Sequence, residues 1–507
     1  MDPLLPVNVI PVKGLYGSGN IGHRHLLMVL VFVGFIFMYA SRVALSISMV
    51  AMTVPVVRNV SVAQNASHQD TCYNPRAPAL TSTPASVWSS NDSSLPTASP
   101  SVFFLQAQVH PGRKFNWDAE TQGILHGSFF YGYLVSQVPG GWIAHKYGAK
   151  LPFAFCMLVL GLLTLLSPLA ANTSVWVFFL VRVLSGICQG AIWPTVGALW
   201  SQWAPPLERG RLLSLSYSGS QVGTVFGMYV AGVVAQNHGW EAIFYCFGAL
   251  CLVWVVLWML LAHNTPNLHP RISVEERDYI NSSFQTGATV SSRKKKVVPW
   301  LAICTSAPVC ALLLVEIFHS YAFYVIISNM PTYLNNIHRF SLKSNGLLSA
   351  MPYLVRWMVT LVVVSTTDWI LTRKFCSATV LRKSMSLCAF IGCGLSLLGV
   401  AFSGCNSVLV VALFTVGVGF SGLNYGGYLV AYFEMSPNYA SILLGMGNTA
   451  GTISGIVAPY ITGVLTNGPN AYSVANWQTV FLIPSGLYAG ASVVYGVFAT
   501  AKRQIWD

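Results

Sequence analysis

Charge is what this chain is short of. Only 8% of its 507 residues are Asp, Glu, Lys or Arg, against 54% hydrophobic, and the mean hydropathy is +0.59. A soluble domain carries roughly 25% charged residues. A water-soluble fold is therefore excluded, and most of the chain must face lipid or the inside of a membrane bundle. Acids are scarcer still, 14 against 27 Lys and Arg. Also missing are H-E-x-x-H, a pair of intramembrane aspartates, a nucleophile elbow and a P-loop, so neither a membrane enzyme nor an ATP-driven pump is expected. No cofactor or metal site is expected. No cleavable leader is expected either, because the first apolar run is long and continues as a span.

What is present is a series of long apolar runs. A span needs about 20 apolar residues, and runs of that size fall near 26–52, 120–144, 150–171, 175–199, 213–235, 240–262, 302–329, 343–366, 381–403, 406–430, 440–465 and 476–500. That predicts an all-α integral membrane protein of twelve transmembrane helices, since uninterrupted runs are not barrel strands. The divisions are a tail 1–25, a six-helix half 26–262 interrupted by a Ser/Thr/Pro-rich loop 53–119, a charged linker 263–300, a second half 301–500 and a tail 501–507. The loop cannot bury a core and is expected to lack fixed structure.

The net charge of +13 does not point to nucleic acid. Eighteen of the Lys and Arg fall at the termini or in even-numbered connections, six on the opposite side and three inside spans. This is the positive-inside bias, which places both termini in the cytoplasm. Asn59, Asn65 and Asn91 head Asn-x-Ser sequons in the 53–119 loop and are expected glycosylation sites on the other face; a fourth, at Asn172, lies too near a helix end. Most of the 11 cysteines sit inside spans. Cys72 is the one clear cysteine of the non-cytoplasmic loops, so no structural disulfide is expected, with Cys405 at a helix edge the available partner.

A charge at the middle of a span costs about 2.5–3.5 kcal/mol, so the few present are informative. Arg42, Arg182 and Arg356 interrupt spans 1, 4 and 8, and Glu316 is the only carboxylate well inside a span. Such an interior is net positive and attracts anions, unless the arginines snorkel or bind backbone carbonyls. On span 4, Arg182, Ser185, Gly186, Gln189 and Trp193 share one polar, small face suited to lining a cavity. On span 7, Glu316, His319, Ser320 and Phe323 share a face, with Tyr321 and Tyr324 nearby. His126 of span 2 joins them, beside Gly127 and Phe130. A lone histidine is more often structural; two opposite a basic cavity suggest a titratable role.

Several longer stretches have a distinct pattern. WDAETQGILHGSFFYGYLVSQVPGGWIAHKYGAK (117–150) ends in a Gly-rich turn and basic cluster, in which Gly141, Lys146, Gly148 and Lys150 allow a tight hairpin with lysines near helix-end carbonyls. DWILTRK (368–374) repeats an apolar-then-basic pattern at the equivalent place in the second half. WSQWAPPLERGRLLSLSYSGSQVGT (200–224), containing Glu208 and Arg209, YASILLGMGNTAGTISGIVAP (439–459) and WQTVF (477–481) complete the set. Together they resemble the anion/cation symporters of the major facilitator superfamily: sialin, the vesicular glutamate transporters and the type I phosphate cotransporters.

The resemblance covers nearly all of the chain beyond residue 25 except the Ser-rich loop. It implies two pseudo-symmetric six-helix halves with substrate between them near the midplane. It implies that Arg42 and Arg182 contact a substrate carboxylate, that 141–150 and 208–209 act as conformational-switch motifs, and that His126 follows the glutamate transporters. His319 stands where those transporters place an arginine. It also exposes two losses. The glutamates that sialin and its kin carry on span 4 fall here at Ser185 and Gln189, neither of which holds a proton. Glu316 and Arg356, both unusual for the family, are expected to pair, and Glu316, alone or with His319, is the candidate replacement for coupling, a structural ion pair being the plainer alternative.

The function expected is secondary transport of a small organic anion, sialic-acid-like or an acidic amino acid, with a proton or sodium ion or the membrane potential as driver. Arg42, Arg182, His126, Tyr131, His319, Tyr321 and Tyr324 are the expected substrate contacts. The alternatives are a phosphate or urate carrier, potential-driven or sodium-coupled, and a non-transporting sensor on the same scaffold. A lysosomal or vesicular membrane is expected, with the plasma membrane as the alternative.

Overall fold

A computed structural model describes residues 22–54, 72, 113–205, 208–288, 298–436, 439–500 and 502–507. Asn59, Asn65, Asn91 and the Arg293–Lys296 run lie outside the described residues. Twelve long helices run as α1 His23–Met52, α2 Ala119–Tyr147, α3 Lys150–Thr173, α4 Val175–Trp203, α5 Arg209–His238, α6 Trp240–Leu261, α7 Ala307–Asn336, α8 Leu342–Thr372, α9 Ala378–Phe402, α10 Ser407–Met435, α11 Ala440–Leu465 and α12 Val474–Phe498. Ten are long and apolar enough to cross a membrane; α2 and α5, of 29 and 30 residues, are more polar.

Local chemistry sets their ends. Asp118, Ser341 and Asn406 accept hydrogen bonds from the backbone amides of Thr121, Ser344 and Leu409 at 3.0, 3.3 and 3.1 Å, each satisfying an otherwise unpaired first-turn donor. Gly148 and Gly239 end α2 and α5 with φ of 82° and 84°, a conformation that a side chain disfavours. The run expected at 302–329 begins later, at Ala307 with Pro308 just inside the first turn, and a short helix Trp300–Cys304 stands before it. Inside α10, Ser421–Tyr425 tightens to a 3-10 turn where Gly419, Gly422, Gly426 and Gly427 crowd together.

Helices α1–α6 and α7–α12 form two bundles, which meet where α2 packs on α11, α5 on α8 and α1 on α7. The seams are tight at the face that carries Cys72. A β-carbon on Gly232 of α5 would come within 2.8 Å of the Gly346 Cα on α8, and one on Gly123 of α2 would collide with the Pro459 carbonyl of α11. Toward the face that carries both termini the α2–α11 seam turns polar, with Asn448 Nδ2 donating to Gln137 Oε1 at 2.7 Å. Beyond that, Gly445 has nothing within 4 Å. The halves are thus closed at one face and wedge open toward the other.

The linker helix Val274–Ala288 grips the terminus-bearing face. Glu276 accepts from the backbone amides of His23 and Arg24 at 2.8 and 3.2 Å, capping α1 from more than 250 residues away. Arg24 bridges Glu276 at 3.1 Å and Glu208 at 3.0 Å, and the Tyr279 hydroxyl donates to Glu208 at 3.1 Å. His269 stacks between His23 and His263, with centroids at 4.3 and 4.6 Å. In the second half, buried Arg382 binds Glu434 at 2.7 Å and the Gly426 carbonyl at 2.8 Å.

One expectation fails. Cys72 and Cys405 form a disulfide with a Cα separation of 5.3 Å. The expectation counted Cys72 as the one clear cysteine of the non-cytoplasmic loops; Cys405, 333 residues away in the α9–α10 connection, lies at the same face and is its partner.

Two outcomes follow from this frame. Burial, and then the charges of His23 and His263, hold His269 down at about 4, partly offset by Glu276. Against an ordinary imidazole near 6.5, the unfolded chain binds the extra proton between these values. Stability is then present above pH 6.5 and lost as pH falls toward 4. The melting temperature in detergent should drop from pH 7 to pH 5, with a shallower slope in His269→Gln. Maleimide-polyethylene glycol should label Cys72 and Cys405 only after reduction, and Cys72→Ser should leave Cys405 reactive without it.

Candidate functional site

Arg42 sits at the middle of α1 with aromatic rings on every side. Its guanidinium carbon lies 4.6 Å from the Phe129 centroid, 5.0 Å from Phe130, 5.4 Å from Tyr39, 5.6 Å from Tyr133 and 5.9 Å from Tyr324. Such ring faces stabilise a cation without neutralising it. Arg182 of α4 approaches the same Phe129 ring at 5.7 Å, is buried at 6% exposure, and its Nε has no hydrogen-bond partner among the described residues. Neither arginine is in an ion pair among the described residues.

Both guanidinium groups open into one small cavity of about 30 Å³, lined by residues of α1, α2, α4 and α7. Of the residues singled out from sequence, Arg42, Arg182, His126 and Tyr324 meet there. Tyr39, Ser46, Phe129, Phe130, Phe323 and Ser328 meet them and were not named as contacts. Their signal was available in part: Tyr39 and Ser46 flank Arg42 one turn away on either side.

Other residues go elsewhere. The α4 face reads as a cavity lining but is mostly a packing face. Gly186 abuts the Phe129 backbone, Gln189 Nε2 donates to the Met38 carbonyl at 3.4 Å, Ser185 bonds the Val181 carbonyl at 2.8 Å, and Trp193 packs on Phe35 and Tyr217. Only Arg182 reaches the cavity from that face. Tyr131 is exposed on the outer surface, 48%, against Phe179 at 6.2 Å. Tyr321 is buried in the core of the second half.

His319 lines a separate, largely apolar cavity of about 20 Å³ within the second half, beside Tyr488, Cys393 and Phe414; Phe323 is shared by both cavities. The His319 Nδ1 is 3.1 Å from the Tyr488 hydroxyl and 3.5 Å from Asn424 Nδ2.

Glu316 and Arg356 do not form the expected ion pair among the described residues. Arg356 instead stacks on Phe323 at 4.8 Å and Tyr425 at 5.8 Å, with its Nε unpartnered. Glu316 accepts from Ser320 Oγ at 3.2 Å, with the Tyr428 hydroxyl facing it. Depth along neighbouring helices was equivalent, but the side chains leave on different faces.

In the α2–α3 hairpin, the Lys150 amide donates to Asn264 Oδ1 at 2.8 Å, and the Lys150 carbonyl accepts from Trp258 Nε1 at 3.0 Å. Gly148 lies against Asn264 and Gly141 against Pro194. Lys146 lies over Trp142 and Tyr147 at 5.1 and 5.2 Å. Glu208, just before α5, holds Arg24 as described; Arg209 begins α5.

The Major Facilitator Superfamily profile matches residues 89–459. Sialin from Homo sapiens is 36% identical over 486 residues, 95% of this chain and 90% of the relative. Vesicular glutamate transporter 1 from Bos taurus is 37% identical over 78% of this chain and 70% of its own length. Among solved structures, a bacterial homolog to human lysosomal transporter Spinster, inward-facing and occupied, superposes with a TM-score of 0.66 at 13% identity, covering 95% of this chain and 97% of its own. The D-xylose-proton symporter gives 0.65 at 14% identity, with 94% and 99% covered. At such low identity the structures speak to the fold, while the curated relatives speak to the family. This is a multi-pass membrane transporter, not an enzyme, and the chain belongs to the Major Facilitator Superfamily, in the family of sialin and the vesicular glutamate transporters.

Proposed function

We propose that this protein is a secondary active carrier for organic anions, sialic-acid-like or acidic amino acids, working by alternating access. The observation that carries the reading is a pair of guanidinium groups, Arg42 and Arg182, sharing one buried cavity with no carboxylate lining it among the described residues. In a low-dielectric site they repel, and a substrate carboxylate relieves both while accepting their forked hydrogen bonds. The rings of Tyr39, Phe129, Phe130 and Phe323 suit the carbon body of an organic anion better than bare phosphate. That several relatives are named vesicular glutamate transporters agrees with this.

Alternating access draws support from the glycine-packed seams at one face and the wedge at the other. The transport cycle then consists of opening α2–α11 and α5–α8 at the Cys72 face while closing the opposite one. Disulfides persist in oxidising compartments, so Cys72–Cys405 and the positive-inside bias both support a lumenal or extracellular Cys72 face and cytoplasmic termini. A lysosomal or vesicular membrane fits best, with the plasma membrane as the alternative. Ser185 and Gln189, where kin carry glutamates, favour a second reading, potential-driven phosphate or urate transport.

Proteoliposome uptake of sialate, glutamate, aspartate, phosphate and urate under imposed pH or voltage tests this. Sialate or an acidic amino acid should accumulate, and Arg42→Gln and Arg182→Gln should each lower uptake at limiting substrate about tenfold or more, the worth of hydrogen bonds to a charged group. Voltage-driven phosphate or urate flux with neither organic anion moving would establish the second reading instead. Uptake intact in both arginine variants would defeat the cavity assignment.

A further inference from the structure

Glu316 does not line the anion cavity and has no ion-pair partner among the described residues, yet it sits between two helices on which the transport cycle turns. Its Oε1 accepts from Ser320 Oγ at 3.2 Å, one turn on along α7, and the Tyr428 hydroxyl of α10 faces the carboxylate. The α11 backbone presses on it at a residue with no side chain: a β-carbon on Gly451 would stand 3.2 Å from Glu316 Oε1 and 2.6 Å from Ser320 Oγ. Ser454, one turn further along α11, donates to the Ile317 carbonyl at 2.9 Å. Glu316 is half-buried, whereas Tyr428 is 1% and Ser320 8% exposed.

The other groups that face this carboxylate complete its electrostatic surroundings. Tyr432 and Tyr428 approach from α10, Arg356 from α8 at longer range, and Tyr324 and His319 lie on α7 itself. Helix α11 brings Gly451 and no titratable contact. No described cation neutralises Glu316, so its ionised form carries a desolvation cost that hydroxyl donors only partly offset; a proton removes the charge outright.

Two physical links join this carboxylate to the cavity and to the moving seam. Glu316, Ser320 and Tyr324 stand at i, i+4 and i+8 on α7, one stripe of the helix, and the Tyr324 ring lies 5.9 Å from the Arg42 guanidinium in the anion cavity. On the other side, α11 carries Gly451 against Glu316 and, one turn nearer the termini, Asn448, which binds Gln137 of α2. A change of charge at Glu316 is therefore felt both by the helix that partners the anion-binding arginine and by the helix that closes the wedge.

We propose that Glu316 is the proton-coupling site of this carrier, taking over from the carboxylates absent at Ser185 and Gln189. The inference rests on the anion-carrier reading above. One proton from water binds the Glu316 carboxylate while it is accessible from one face, crosses with the anion, and returns to water at the other face. Tyr428 and Ser320 are positioning residues that hold the ionised form between turnovers.

The test uses the full chain in liposomes loaded with the pH dye pyranine, given external sialate or glutamate with and without an inward proton gradient of one unit. Wild type should take up protons with the anion, and the gradient should stimulate anion uptake severalfold. In Glu316→Gln the stimulation ratio should fall to one and anion-dependent proton entry should vanish. Tyr428→Phe should displace the pH of half-maximal stimulation. Should Glu316→Gln be inactive in every mode, Glu316→Asp and Tyr428→Phe decide, and pH profiles unchanged in both overturn the proposal. It is equally overturned if Glu316→Gln keeps the wild-type ratio, or if wild-type uptake needs sodium and carries no proton. Arg182→Gln, run alongside, separates the two ideas. Its loss of uptake together with an unchanged Glu316→Gln rejects the coupling site alone, whereas uptake surviving in Arg182→Gln rejects the anion reading beneath it.

Discussion

Two like charges that share one cavity, without a counter-ion among the described residues, constrain the rest of this molecule. Arg42 and Arg182 both lie against the Phe129 ring, at 4.6 and 5.7 Å, and repel each other. The fold tolerates this repulsion by wrapping Arg42 in five ring faces, an arrangement that softens the charge and leaves its hydrogen-bonding fork available. A carboxylate in the wall would have been cheaper for the fold and would have cancelled the site's affinity for anions. The same principle recurs at Arg356, stacked between Phe323 and Tyr425. Arg42 and Arg356 are thus shielded by aromatic rings, whereas buried Arg382 is ion-paired with Glu434.

Around that cavity the helices divide into those that hold and those that move. The ion pairs that are present lie toward the terminus-bearing ends of the helices: Arg24 with Glu208 and Glu276, Arg382 with Glu434. Three of these carboxyl and guanidinium groups bind the linker helix to the first half, so the linker belongs mechanically to that half. Between the halves, Gly232 against Gly346 and Gly123 against Pro459 bring backbone close to backbone, beside side-chain contacts such as Asn448 on Gln137 and Asn467 on Asp118.

How much of this could be read from residues alone depends on the question. Span positions follow from the length of apolar runs, because lipid demands it, and Arg42 and Arg182 stand out because a charge at mid-span is costly. Where the reading failed, the missing information was rotational. Residues Arg182 to Trp193 do share a helix face, but periodicity does not say whether that face meets a cavity or another helix; Gly186 against Phe129 shows that it meets α2. Glu316 and Arg356 were matched by depth, yet the Phe323 ring claims the guanidinium. Tyr131 has the residue type of a cavity lining and points outward. Cys72 found a partner that only the assembled bundle brings within reach.

That bond has a topological result. Joining Cys72 to Cys405 closes a covalent ring that threads α2 through α9 and includes the linker, with α1 and α10–α12 as its two free arms. A single proteolytic nick anywhere in the ring merely linearises it, and the pieces remain one molecule.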